Sequence, residues 1–328
     1  MTGCLATLNG VLGKREGFGK ALMRIIVMGQ QAFGKAALEK LLADGRDEVV
    51  AVYCAPDRGG RPPDPLKTAA VEAKLPVMQP KSLSNSTVIE ELRAFGADLM
   101  IMAYVIQYVP QAACQAPAIG TTCFHPSLLP LHRGPSSINW PIIEGATRTG
   151  FSWFHPSEGL DEGDILLQWE CRIGPDDTLG DVYFKKIFPQ AIASLTEVCD
   201  LFRSGSPPRT PQDESKATYE SWCRSSDAEI NWSSDVDKVY NLIRGTNPQP
   251  GAWTTVDGAK LQIYDARKCA GDGTPGAVVE IDDAGVAVQA RGGRILVKRV
   301  RPQGGGKIPA VKYAEDVRLK PGTTLGTA

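Results

Sequence analysis

Two short stretches hold residue types suited to moving protons. His125 ends the apolar run 119–125 and is followed by Pro126, whose ring holds the histidine extended and keeps a helix from starting there. Further on, Glu158-Gly159-Leu160-Asp161-Glu162-Gly163-Asp164 sets carboxylates around two glycines that permit a tight excursion. Singly, each has an ordinary reading: a histidine at a strand end can be structural, and an acidic glycine-bearing turn can be a solvated loop. Brought to one cleft, an imidazole and a carboxylate sustain proton transfer, because the carboxylate fixes the orientation and tautomer of the ring. The remaining candidates have plainer readings. His132 and His155 fit loops, with a place at a substrate mouth as the alternative, and Cys123 fits a small buried strand residue better than a reactive thiol. Gly29 and Gly34 do not complete G-x-G-x-x-G, which favours a strand-to-helix turn over a dinucleotide site.

The elements that must position these clusters can be read from apolar periodicity. Residues 24–28 form an apolar run stopped by Gly29, and Phe33, Ala37, Leu38 and Leu41 then recur at helical spacing. Strands are expected at 49–53, 75–78, 98–103 and 119–125, with a helix at 88–95. Alternating units of this size imply an open parallel sheet with helices on both faces, and ligands bind such sheets outside the carboxyl ends of the strands, where His125 falls. A long loop from Ser127 carries Leu128, Leu129, Pro130 and one cation, Arg133, before a strand pair at 149–154 and 165–170. A helix over 181–202, kinked at Pro189, closes this part. Residues 205–218, with Gly205, Pro207, Pro208 and Pro211, have linker composition. Beyond them, Val236, Val239, Tyr240 and Ile243 predict a helix stopped by Gly245, and short alternating runs after Gly251 predict a small antiparallel β-barrel.

At 328 residues, two domains are a better expectation than one. The net charge of −1 gives no global attraction to nucleic acid or an anionic membrane, so any such partner must be argued locally. Eight cysteines without a C-x-x-C pair or a Cys/His cluster predict neither zinc nor a disulfide framework, and they suit a reducing cytoplasm. No apolar run approaches the ~20 residues of a membrane span, and residues 1–22 lack the apolar stretch of a secretory signal.

The stretches FHPSLLPLHRGPSSINW at 124–140 and GLDEGDILLQ at 159–168 resemble the folate-dependent formyltransferases and hydrolases. INW at 230–232 and NPQPGAW at 247–253 extend the resemblance into the second half. It begins at Met23, which sets residues 1–22 apart as an extension and makes Met23 an alternative start. The resemblance implies a Rossmann-like catalytic domain at 23–204, a linker at 205–218 and an open OB-like barrel domain at 219–328. It also implies 10-formyltetrahydrofolate as formyl donor, with no metal required. His125 would polarise the formyl carbonyl and stabilise the oxyanion, while Asp161 would position the histidine and help remove a proton from the attacking group. Folate binding carries over to Gln107, Tyr108 and Val109 after the fourth strand, and to Ser127, Leu128, Leu129 and Pro130.

This sequence departs from the family at Cys123, where transferases carry an asparagine as a second carbonyl-binding donor, and at Glu162, where threonine is usual. A thiol is a weak donor, and loss of one oxyanion donor can cost about 10²–10³ in rate. Transfer to a small amine leads the readings, and hydrolysis to formate shares the same two residues. For an aminoacyl-tRNA acceptor, the short loop at 56–65 argues against and the basic stripe Arg291, Arg294, Lys298, Arg299, Arg301 argues for, although a solvated strand face is the commoner use of such a stripe. A folate-binding regulator without turnover is the reading from another class.

Overall fold

The structure, a computed structural model, describes residues 22–326. The expectation for the 1–22 extension therefore lies, Leu22 apart, outside the described residues.

The first half runs β1 (Arg24–Gly29), α1 (Gln31–Asp44), β2 (Glu48–Tyr53), α2 (Pro65–Glu72), β3 (Val77–Met78), α3 (Ser86–Ala94), β4 (Leu99–Ala103), α4 (Gln111–Cys114), β5 (Gly120–His125), α5 (Asn139–Ile143), β6 (Arg148–Phe154) and β7 (Ile165–Arg172). Their sheet has the order β3-β2-β1-β4-β5-β6-β7. The strands from β3 through β5 are parallel, as the alternation implies, while β6 and β7 add antiparallel to the far edge. β1 and β4 are apolar on both faces because both faces are covered. Ile25, Val27, Leu99 and Ile101 pack against Phe33, Leu38 and Leu41 of α1, whereas Ile26, Met28, Met100 and Met102 pack against Val88 and Leu92 of α3.

Two short helices escape the periodicity argument, and one of them carries a cap signal. At α2, Asp64 accepts from Leu66 N (2.9 Å) and Pro65 occupies the first turn, where its missing N–H costs nothing. α5 interrupts the expected long loop after His125. The expected helix over 181–202 is instead α6 (Leu179–Asp181), a π-helical stretch (Val182–Ile187), α7 (Phe188–Ala193) and α8 (Leu195–Arg203). Pro189 sits in the first turn of α7, just where the widened π turns end, so a proline without a donor is absorbed by a change of helix type rather than by a simple kink.

The second half holds α9 (Val236–Gly245), β8 (Trp253–Val256), β9 (Ala259–Cys269), β10 (Val278–Asp282), β11 (Gly285–Ala290), β12 (Gly293–Pro302), β13 (Ile308–Pro309) and α10 (Ala310–Asp316). Its antiparallel order β10-β11-β12-β9-β8, with β13 on β12, fits the expected small barrel. Gly245 ends α9 from inside rather than lying beyond it, and its role is close approach. A Cβ there would stand 2.6 Å from Ile143 Cγ1 and 3.0 Å from Ile143 N, so glycine lets α9 lie on α5. Across that contact Asn139 Nδ2 donates to the carbonyls of Gly245 (2.9 Å) and Gln249 (3.1 Å), joining the SSINW stretch to NPQPG. In the basic stripe Arg291, Arg299 and Arg301 are exposed while Ile295, Val297 and Val300 point into the core.

Candidate active site

Alternation along β5 decides what faces the cleft. Phe124 turns into the core, stacked on Phe33 with ring centroids 4.1 Å apart, so its neighbours Cys123 and His125 share the opposite face. His125 is buried at the carboxyl end of the strand. Its Nε2 lies 2.8 Å from the carbonyl oxygen of His132, and its Nδ1 lies 3.6 Å from Asp161 Oδ2. A carbonyl only accepts, so Nε2 carries a proton and Nδ1 is the nitrogen turned toward the carboxylate. The 3.6 Å separation is too long for a direct hydrogen bond, so the carboxylate faces the ring without bonding it.

Asp161 reaches this position through a left-handed backbone, φ 57°, which aspartate tolerates better than most residues. Its Oδ2 accepts from Gly134 N at 2.9 Å. Gly163 is required for packing: a Cβ there would fall 1.7 Å from the carbonyl oxygen of His155. Gln212, from the expected linker, donates to the carbonyls of Asp161 (2.8 Å) and Gly163 (2.7 Å) and so fixes both sides of the turn.

Gln212 is itself held by Arg133, which is 0% exposed. The guanidinium donates to Gln212 Oε1 through Nε (3.1 Å) and Nη2 (2.8 Å), to both oxygens of Glu214 (3.0 and 2.6 Å), and to the Tyr219 hydroxyl. Tyr219 in turn donates to Glu162 Oε1 at 2.6 Å. The Arg133 hydrogen bonds hold the Glu214 carboxyl below its ordinary value. The expected linker is thus laid along the loop that carries Asp161, and its Thr210 pairs with Ile165 at the start of β7.

The loop expected to bind folate is braced from below. Ser152, opposite His125 on β6, donates to Ser127 O (2.8 Å) and accepts from Leu129 N (3.1 Å) and Gln168 Nε2 (2.9 Å). Gln168 Nε2 also reaches Leu129 O at 2.7 Å. Ser127 spends its hydroxyl on Leu131 O (2.6 Å) and Leu129 is buried, so Leu128 and Pro130 keep the accessible surface of that stretch. Gln107 lines a groove with Gly29, Gln30, Cys54, Ala55 and Pro80 at the carboxyl ends of β1 and β2; Val109 is half-buried and Tyr108 is 71% exposed.

Burial, with the charge of Asp161 adding to it, pushes the Cys123 thiol well above its ordinary value, so it stays a protonated, inert group beside the pair. His132 turns its ring onto Glu220, with Nδ1 3.0 Å from Oε1. His155 is buried against Phe202 with Nε2 2.9 Å from Pro208 O, and burial lowers its pKa. Ser152, Gln212 and Tyr219 escape a reading by residue type, because none is a customary catalyst. Gln168 closes the GLDEGDILLQ stretch, which is the sequence signal that marks it.

An open sheet with a His–Asp pair at its carboxyl edge is followed by an antiparallel, barrel-like sheet. Residues 23–196 match the family described as Formyl transferase and residues 223–318 match Formyl transferase, C-terminal domain. The chain belongs to the formyl transferase family. It is 36% identical to the methionyl-tRNA formyltransferase of Geotalea daltonii over 309 residues, covering 93% of this chain and 98% of that one. It is 35% identical to the human mitochondrial 10-formyltetrahydrofolate dehydrogenase over 309 residues, 90% of this chain but 33% of the relative. The chain thus spans about a third of the dehydrogenases it matches. Among solved structures, HypX from Aquifex aeolicus in complex with tetrahydrofolic acid superposes with TM-score 0.66 at 19% identity, covering 91% of this chain and 48% of HypX. WlaRD, a sugar 3N-formyl transferase, gives 0.63 at 15% identity, covering 84% of this chain and 97% of that chain, so both speak for the fold. No helix among the described residues is long and apolar enough to cross a membrane.

Proposed function

We propose that the chain takes the formyl group from 10-formyltetrahydrofolate and passes it to an amine, with His125 and Asp161 carrying the chemistry. The observation behind this is the geometry of the pair: Nε2 engaged by His132 O at 2.8 Å, and Nδ1 facing Asp161 across 3.6 Å. The amine nitrogen attacks the formyl carbon, and the carbonyl electron pair moves onto oxygen. The His125 ring, buried at the carboxyl end of β5, stabilises that oxyanion. Asp161, fixed by Gly134 N–H, takes the proton from the amine. As the intermediate collapses, the bond from carbon to the folate nitrogen breaks, and that nitrogen takes a proton back from the pair. The residues bearing folate on this reading are Gln107, Tyr108 and Val109 on one side and Ser127 to Pro130 on the other, where an apolar slot with backbone donors suits a flat ring. Residues 23–204 serve as the catalytic part, 205–218 as connector and 219–328 as the second part.

The names of the relatives support a folate donor: one neighbour holds tetrahydrofolic acid, and another was crystallised in the presence of 5-N-formyl-THF. Hydrolysis is the second reading, favoured by Cys123 at the position of the expected amide donor. Purified protein incubated with 10-formyltetrahydrofolate, with and without amines or aminoacylated tRNA, separates them. Turnover that needs an acceptor supports transfer and names its class, amine-independent formate release replaces transfer by hydrolysis, and absence of both sinks the reading.

A further inference from the structure

His132 offers an imidazole nitrogen, and Glu144 and Glu220 one carboxylate oxygen each, with all three donor atoms within 4.8 Å of one another. They come from three separate places: the loop after β5, the residue capping the end of α5, and the segment entering the second half. We propose that they form a divalent metal site, suited to Zn²⁺, that staples these elements together beside the catalytic loop.

Each ligand has a reason to be held there. His132 has a left-handed backbone, φ 57°, and its N–H donates to Thr218 Oγ1 at 2.8 Å, so its ring is directed onto Glu220. The Glu220 backbone is locked to the same loop: its N–H donates to Arg133 O (3.0 Å), and Gly134 approaches so closely that a Cβ would fall 2.3 Å from Glu220 O. Glu220 Oε1 takes the His132 ring nitrogen at 3.0 Å and Thr218 Oγ1 at 2.9 Å, whereas Oε2 is buried with no hydrogen-bond partner. A buried carboxylate oxygen without a partner is costly unless a cation or donor meets it. Glu144 adds a second carboxylate, and no ion pair engages it among the described residues. Two carboxylates and one imidazole match the donor preferences of zinc, whose bonds to nitrogen and oxygen run about 2.0–2.2 Å, with water as a fourth ligand. Glu144 is exposed, so its side chain is not held in place by surrounding packing.

The site stands apart from formyl chemistry. Its link to the pair is structural, because the carbonyl of the same His132 receives His125 Nε2–H. Metal binding would stiffen the loop that orients His125 and raise the melting temperature by mass action.

The test titrates the full chain with Co²⁺ and reads visible ligand-field absorption, and in parallel measures melting temperature with and without Zn²⁺. Neither readout involves folate, so its failure is distinct from failure of the formyl-transfer reading. One Co²⁺ per chain is expected, without a thiolate charge-transfer band, together with a zinc-dependent rise in melting temperature. Glu144→Gln, a change on an exposed side chain, should weaken binding at least ten-fold and remove most of that rise, and His132→Gln should abolish both. A thiolate band, affinity unchanged in Glu144→Gln, or no binding at micromolar metal would overturn the site.

Discussion

Gln212 Nε2 bridges the backbone carbonyls of Asp161 and Gly163, at 2.8 and 2.7 Å, so a residue from the connector between the two halves holds the turn that presents the carboxylate to His125. Replacing it with alanine removes both bonds while leaving Asp161 itself in place. Gln212→Ala is expected to lower kcat about 10–10²-fold with KM for the folate little changed, because small misplacements of a catalytic group are costly. Steady-state kinetics on the folded variant checks this, and an unchanged kcat would show that the turn is held without Gln212.

Cys123 lies on the same side of β5 as His125 but offers a weak donor. Cys123→Asn places an amide there and is expected to raise amine-dependent transfer at least about ten-fold, the reverse of losing an oxyanion donor. Product ratios of formylated amine to formate are the measurement. A ratio that stays flat in a folded variant would mean that residue 123 does not touch the formyl oxygen.

The contact between α5 and α9 depends on Gly245 having no side chain. Gly245→Ala should cost about 1–3 kcal/mol of stability through overpacking, read as a lower denaturant midpoint. Equal stability would mean that the two helices separate at no cost.

The residues of the site divide by how visible they are in the sequence. His125 and Asp161 stand out because their types do chemistry, and the strand-end position of His125 follows from the apolar run before it and Pro126 after it. The parallel core is legible because β1 and β4 are buried on both faces and so read as continuous apolar runs. Gln212 is hidden by its setting: a glutamine among prolines looks like linker, and only the fold lays that segment along Asp161. Arg133 is hidden for a related reason, since a loop cation reads as solvent-facing, and its burial depends on partners as distant in sequence as Glu214 and Tyr219. The π-helical stretch before Pro189 could not be read from periodicity, because a widened turn leaves no distinct apolar pattern.

His155 gives a pH signature. Burial lowers its pKa from the ordinary 6.5, so the unfolded chain binds the proton more readily than the folded one. Its contribution is intact above about pH 6.5 and is lost as pH falls toward the folded value. The melting temperature of the wild-type chain is expected to drop between about pH 7 and 5, and His155→Gln should drop less steeply over that window. Parallel curves would assign the acid sensitivity to other groups.

The central claim is that His125 and Asp161 act together on the formyl group. The most direct measurement is the single-turnover rate of 10-formyltetrahydrofolate consumption by wild-type chain, His125→Ala and Asp161→Asn, with folate affinity measured alongside. The account predicts losses of about 10²–10³-fold for His125→Ala and about 10²–10⁴-fold for Asp161→Asn, with folate still bound. Rates within a few-fold of wild type in either folded variant would contradict it.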